Sequence, residues 1–243
     1  MGLCFFPRNP NMWKAVVGLH HLYKHQPYTT EYRVKYIIIH SDYDFGTFEN
    51  DVALFRLTGF VKYNDYVQPI CLPNSSYFQT DKHKNPCYIS GWGRTKEQAE
   101  HHTKTNILPA LSCAFIIGRG KHILQEAQVD IIPLQICNSY DWYGGTVSLN
   151  MICAGSESGR VDSCQGDSGG PLVCYSPDAN KYYLTGITSS GFGCGRPKFP
   201  GLYVRTASYR NWIDSYMSNK TNTVSIHLVI ILGTAGWITF HIL

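Results

Sequence analysis

The chain has 243 residues, 44% of them hydrophobic and 16% charged, with a net charge of +4. That length suits one large all-β domain or two small ones with a proper core. The mild charge, with no basic run longer than two residues, gives nucleic-acid binding little support. Nine cysteines, none at zinc-ligand spacing, exclude an evident metal centre and point to disulfides in an extracytoplasmic compartment. An odd number leaves at least one thiol without an internal partner, and no cofactor motif is found.

The first twelve residues, within "MGLCFFPRNPNMW", lack the basic start and long apolar run of a signal peptide. Phe6 stands where myristoylation needs Ser or Thr. A disulfide-type chain without an export signal reads as one whose beginning is missing or replaced. Short segments rich in Val, Ile, Tyr and Thr then follow one another, separated by Gly, Pro, Asn and Asp. They are "YRVKYIIIH", "DVALFRL", "CYISGWGRT", "EAQVDIIPL", "YYLTGITSS" and "GLYVRT". Asn74 and Asn219 head glycosylation triplets, a weak signal that agrees with the compartment. Near the end Ser208 is placed to cap a helix whose apolar face is Tyr209, Trp212, Ile213 and Tyr216. The class is all-β with one terminal helix.

The last residues are of another character. From Thr221 to Leu243 no Asp, Glu, Lys or Arg occurs. A helix over 224–243 would reach roughly 30 Å, one hydrocarbon thickness. The tail therefore reads as a transmembrane segment or a lipid-anchor signal, against the alternative of a buried core helix. The lipid-anchor form has small residues at Ser218 and Asn219 but a short polar spacer.

Two stretches carry chemistry. "DSCQGDSGGPLVC", Asp162 to Cys174, sets Gly166, Gly169 and Gly170 around Ser168. Such a glycine cluster is either a polar surface turn or a strained loop presenting Ser168 as a nucleophile beside oxyanion-holding N–H groups. "NDVALFRL" places Asp51 at the entry to an apolar strand, either as a turn residue or as a carboxylate that needs a fixed partner.

Six stretches, "ENDVALFRL", "VQPICLP", "CYISGWGRT", "MICAGSESGRVDSCQGDSGGPLVC", "GITSSGFGCGRPKFPGLYVRT" and "YRNWI", occur in that order. Together they resemble the trypsin/chymotrypsin-like serine proteases over residues 13–219. The resemblance implies a double six-stranded β-barrel, its first barrel incomplete, with a C-terminal helix and an apolar tail. It implies Ser168 as nucleophile and Asp51 as the acid orienting a histidine base, with the N–H groups of Gly166 and Ser168 as oxyanion hole. Asp162, with Ser163 beside it, matches the floor of the primary specificity pocket. Gly191 and Gly201 match its walls, and Ser189 the strand that binds substrate backbone. An acid at the end of a glycine-walled slot selects Arg or Lys. The family pattern implies the disulfides Cys87–Cys174, Cys137–Cys153 and Cys164–Cys194. The expected partners are protein substrates or inhibitors with exposed Arg or Lys, and a membrane through the tail.

Three departures qualify the expectation. The family's "Ala-Ala-His-Cys" motif is absent, and counting back from Trp13 puts Leu3 at the histidine and Cys4 at the cysteine. His20, His21, His25 and His40 precede Asp51 but all follow Trp13, in what the family makes a surface loop and strand, so they read as solvated. No "Ile-Val-Gly-Gly"-like activation N-terminus is present to pair with Asp167, and Cys4 and Cys71 are orphaned. Residues 109–124 look inserted between "NIL" and "QEAQV", adding Cys113 and an apolar run. Ser190 also replaces an aromatic at the pocket edge. The chain as written thus reads as an inactive piece of an active endopeptidase, a non-catalytic pseudoprotease that binds basic peptides at the cell surface, or a product that cannot fold.

Overall fold

The computed structural model describes residues 9–74, 85–97, 120–217 and 228–230. Strands β1 (Lys14–Val17), β2 (Thr30–Ile39) and β3 (Ala53–Leu57) form an antiparallel sheet with β10 (Leu228–Ile230), in the order β1-β2-β3-β10. Six more strands close a barrel in the order β4-β5-β6-β9-β8-β7. They are β4 (Cys87–Gly91), β5 (Gln125–Ile132), β6 (Met151–Gly155), β7 (Pro171–Ser176), β8 (Lys181–Ser190) and β9 (Gly201–Arg205). The molecule is a mostly-β protein of the trypsin-like two-barrel type, with one barrel closed and the other a sheet.

The alternation of side chains along a strand explains how the two halves join. Ala53, Phe55 and Leu57 enter the core of the first sheet, with Trp13, Ala15, Val17 and Val34. Val52 and Leu54 point the other way, into a second core with Cys153, Ile187, Val204 and Ile213. β3 is therefore the seam between the two halves, and Asp51 lies just before it. β6 divides in the same way: Met151 and Cys153 face that second core, while Ile152 and Ala154 fill the barrel with Ile89, Leu172 and Tyr203.

All three expected disulfides form: Cys87–Cys174, Cys137–Cys153 and Cys164–Cys194. Cys87 and Cys174 are register partners on β4 and β7, so their bond fastens the pair that closes the barrel. Spanning 87 residues, it constrains the unfolded chain by about 4–5 kcal/mol on the chain-entropy estimate. Cys71 is a half-buried free thiol; Cys4 and Cys113 lie outside the described residues. Asn74 is exposed, and Asn219 is not among the described residues.

Two expectations need correction. Ser208 does not cap the terminal helix. It sits exposed inside a 3-10 turn, Thr206–Tyr209, that runs directly into the α-helix Arg210–Met217. The Thr206 hydroxyl donates to the carbonyls of Leu184 and Thr185, which fixes that turn on β8. Of the expected apolar face, Ile213 in the helix and Tyr209 in the turn before it are buried, Trp212 is half-buried, and Tyr216 is exposed. Within the apolar tail, Leu228–Ile230 is extended and pairs antiparallel with Leu54–Arg56, whereas a helix over 224–243 would include those residues. The rest of the tail lies outside the described residues, and no helix among them is long and apolar enough to cross a membrane.

Of the segment read as inserted, 109–119 is outside the described residues and 120–124 is docked. Leu22 N–H donates to the His122 carbonyl at 2.8 Å, Leu124 N–H to His20 at 2.9 Å, and Lys121 N–H to Trp92 at 2.9 Å. These are backbone bonds, indifferent to side chain.

Candidate active site

The Ser168 turn is held by its own backbone. Asp167 N–H donates to the Cys164 carbonyl at 2.9 Å and Gly170 N–H to Asp167 at 2.8 Å. Gly166 and Gly169 have φ of 99° and 80°, a region where a side chain is strained, so glycine is needed at both. The turn is then tied to β8: Gly169 N–H donates to the Thr188 carbonyl and Thr188 N–H to Gly170, each at 2.9 Å. The next residue, Ser189, donates its hydroxyl to Asp51 Oδ2 at 2.7 Å. One end of β8 thus brings Ser168, Ser189 and Asp51 together across more than half the chain. The N–H groups of Gly166 and Ser168, and the Ser168 hydroxyl, have no hydrogen-bond partner among the described residues.

Asp51 has no cation beside it among the described residues. Burial pushes its carboxyl up to about 6, and the Ser189 bond offsets only part of that shift. None of the four early histidines reaches it. His20 and His25 are exposed, as expected, with His25 Nε2 lying 3.9 Å from Glu31. His21 is half-buried, its ring stacked at 6.3 Å on His122. His40 is half-buried rather than solvated, because its ring packs on Tyr209 and Trp212, with centroids 5.4 and 5.1 Å away.

Six residues before Ser168, Asp162 lies in a cradle of main-chain donors. Its Oδ1 accepts from Ser163 N–H at 2.8 Å and Gly201 N–H at 3.0 Å, and its Oδ2 from Gly195 N–H at 2.9 Å. Burial pushes the carboxyl up to about 6; the three N–H groups pull it back, and the Asp167 charge adds to the rise. A Cβ on Gly201 would stand 2.7 Å from Asp162 Oδ1, so only glycine leaves the acid uncovered there. Ser163 Oγ accepts from the buried Tyr203 hydroxyl, and the Cys164–Cys194 disulfide joins the two sides. Gly191 lies along the same wall, the position of its missing Cβ 3.9 Å from the Tyr143 hydroxyl.

Several contributors escape sequence reasoning. Tyr143 donates to the Pro200 carbonyl at 2.7 Å and accepts from Phe192 N–H at 3.3 Å, bracing the wall. Gly195 holds Asp162 from 33 residues away. Asp167 accepts from Gly93 at 2.7 Å and from Cys164 at 3.0 Å. A Cβ on Gly91 or Gly93 would collide with that carboxylate. The glycines in "SGWG" were the available signal for this close approach.

Three raised carboxyls have a consequence for stability. Asp51 and Asp162 rise from 3.8 to about 6, and Asp167 rises too. Between pH 4 and 6 the folded state therefore keeps protons that the unfolded state has released, so stability falls as pH rises through that window. Each of the first two groups contributes about 3 kcal/mol to this loss. The lowered carboxyls, Glu31 and Glu97, sit at the surface and oppose it weakly. Thermal unfolding should give a lower Tm at pH 7 than at pH 4.5, with a flatter profile for Asp51→Asn. A Tm that climbs across this range would contradict the burial of these acids without a neighbouring cation.

A serine on a glycine turn, an aspartate at the seam of two β-halves and an acid at the base of a glycine-lined wall define the architecture of a serine protease. The family model for trypsin matches residues 7–119 and 112–213, and the chain belongs to the trypsin family. It is similar to transmembrane protease serine 11G of Rattus norvegicus, 36% identical over 215 residues. That match takes in 88% of this chain and 44% of the relative, so the chain spans less than half of that protein's length.

Proposed function

We propose that the chain carries the substrate-binding half of a serine endopeptidase that cleaves after Arg or Lys. The observation that carries this reading is Asp162, a carboxylate cradled by three N–H groups beside glycine backbone. With no side-chain cation beside it among the described residues, that charge lacks the counter-ion a guanidinium or ammonium would bring. Ser168 acts as nucleophile, Gly166 and Ser168 supply the oxyanion N–H groups, Asp51 orients the base, and Ser189 serves both Asp51 and the substrate backbone.

The 243 residues as written bind rather than cut, because no histidine among the described residues stands beside Asp51. In this state the chain is a pseudoprotease that captures basic peptides, or inhibitors with exposed Arg or Lys. Supplying an upstream segment with the histidine motif and an activation N-terminus tests the reading: cleavage of peptides should appear after Arg or Lys. Cleavage after apolar residues instead would overturn it.

The "YNDYVQPICLP" and "SGWGRTKE" stretches and the apolar tail resemble the membrane-anchored transmembrane serine protease numbered twelve. We place the protein on the extracytoplasmic side, glycosylated at Asn74 and Asn219, and associated with membrane through the apolar tail beyond the Leu228–Ile230 strand. A secreted form ending at Met217 should stay in the aqueous phase of a detergent partition, and the full chain should enter the detergent phase. If both remain aqueous, the tail is not an anchor.

A further inference from the structure

Two loops flank the approach to Asp162. One leaves β4, carries Gly93, whose N–H holds Asp167, and reaches Glu97. The other leaves β8 and carries Gly195, whose N–H holds Asp162. Glu97 and Arg196 join them in a two-pronged bond: Oε2 accepts from Nε at 2.9 Å and Oε1 from Nη2 at 2.7 Å. The Arg196 guanidinium also lies 5.0 Å from the centroid of the Phe192 ring, which in turn packs on Phe199. Both charged groups lie across Gly193, where φ is 84°. A Cβ there would stand 2.6 Å from Glu97 Oε1 and collide with Arg196 Nε. Arg196 holds the Glu97 carboxyl below its ordinary range.

An exposed ion pair usually contributes little. This one is bidentate, stacked on a ring, and closes a contact between loops 99 residues apart. The wall it touches, Gly193-Cys194-Gly195, has two glycines, the residues whose backbone is costliest to order. A ligand that needs this wall in place must otherwise order it on binding.

We propose that the Glu97–Arg196 pair is a specificity-determining latch that pre-orders the wall of the Asp162 slot and so sets its affinity for arginine-like ligands. The proposal rests on the reading of that slot as a site for basic side chains. It acts by positioning; neither group need touch the ligand's charge.

Binding of 4-aminobenzamidine, an aromatic amidine that mimics the arginine head, to the full chain tests this by fluorescence titration. Asp162→Ser should abolish binding. Glu97→Gln and Arg196→Gln should each weaken it about threefold to fivefold, in line with one surface pair. The double variant should be no weaker than the worse single one, because either change already opens the latch. A purely electrostatic role predicts opposite signs, weaker binding for Glu97→Gln and tighter for Arg196→Gln, and that result overturns the latch. So does unchanged affinity in both single variants alongside Asp162-dependent binding, which leaves the slot reading standing. Binding that is absent, or indifferent to Asp162→Ser, overturns the slot reading and the latch with it. Near-UV circular dichroism of each variant, expected to match the unaltered chain, separates a local loosening from lost folding.

Discussion

Ser168 of the 243-residue chain is expected to stay unlabelled by a fluorophosphonate under conditions that label trypsin to completion. A serine hydroxyl is a weak nucleophile until a base takes its proton. Here that hydroxyl has no hydrogen-bond partner among the described residues, and Asp51 is bonded by Ser189 instead of an imidazole. Removing the catalytic histidine from another serine protease lowers kcat on the order of 10⁶-fold. The glycine turn and its free N–H groups would still be present, so any residual reaction should be slow. Labelling at a trypsin-like rate would mean that one of the ten histidines reaches Ser168 after all. His40 is the first to check, since its amide bonds to Val52, one residue from Asp51.

The second large effect belongs to Asp162. In a chain supplied with the upstream histidine motif and activation N-terminus, Asp162→Ser should lower kcat/KM toward Arg and Lys peptides by about 10²–10³-fold. Removing one partner of a buried charge pair leaves the other uncompensated, at a cost of about 3–5 kcal/mol. Serine keeps a hydroxyl that can still meet one of the N–H groups of Ser163, Gly195 and Gly201, so the slot keeps its backbone. Slow cleavage after apolar residues should be unchanged, which separates lost recognition from lost fold. Equal losses on basic and apolar peptides would show that Asp162 supports the wall rather than selecting the substrate.

How far the sequence reached differs between elements for physical reasons. β2, β5 and β8 are eight to ten residues long and rich in β-branched and aromatic residues, so composition alone marks them. β1 is four residues, "KAVV", too short to show a period. β6 is buried at every position, and a fully buried strand loses the alternation that identifies strands. Ser208 carries a capping residue's chemistry, but the turn that leads into the helix is set by Thr206 bonding to β8, a tertiary contact that no local pattern marks. The glycine-rich Ser168 motif made the turn legible, and ordered motifs implied the three disulfides. Glu97 and Arg196 were ordinary surface residues until the fold brought them together; no local pattern marks a pair so far apart.

The pairing of Leu228–Ile230 with β3 also bears on synthesis. β3 is the seam strand, and one of its edges is covered by residues about 170 positions further along the chain. At ordinary translation rates that edge stays bare for roughly ten to thirty seconds after β3 is made. An uncovered strand of Ala, Leu and Phe is a template for pairing with another nascent chain. Slower elongation late in the message would lengthen that interval without changing a single residue.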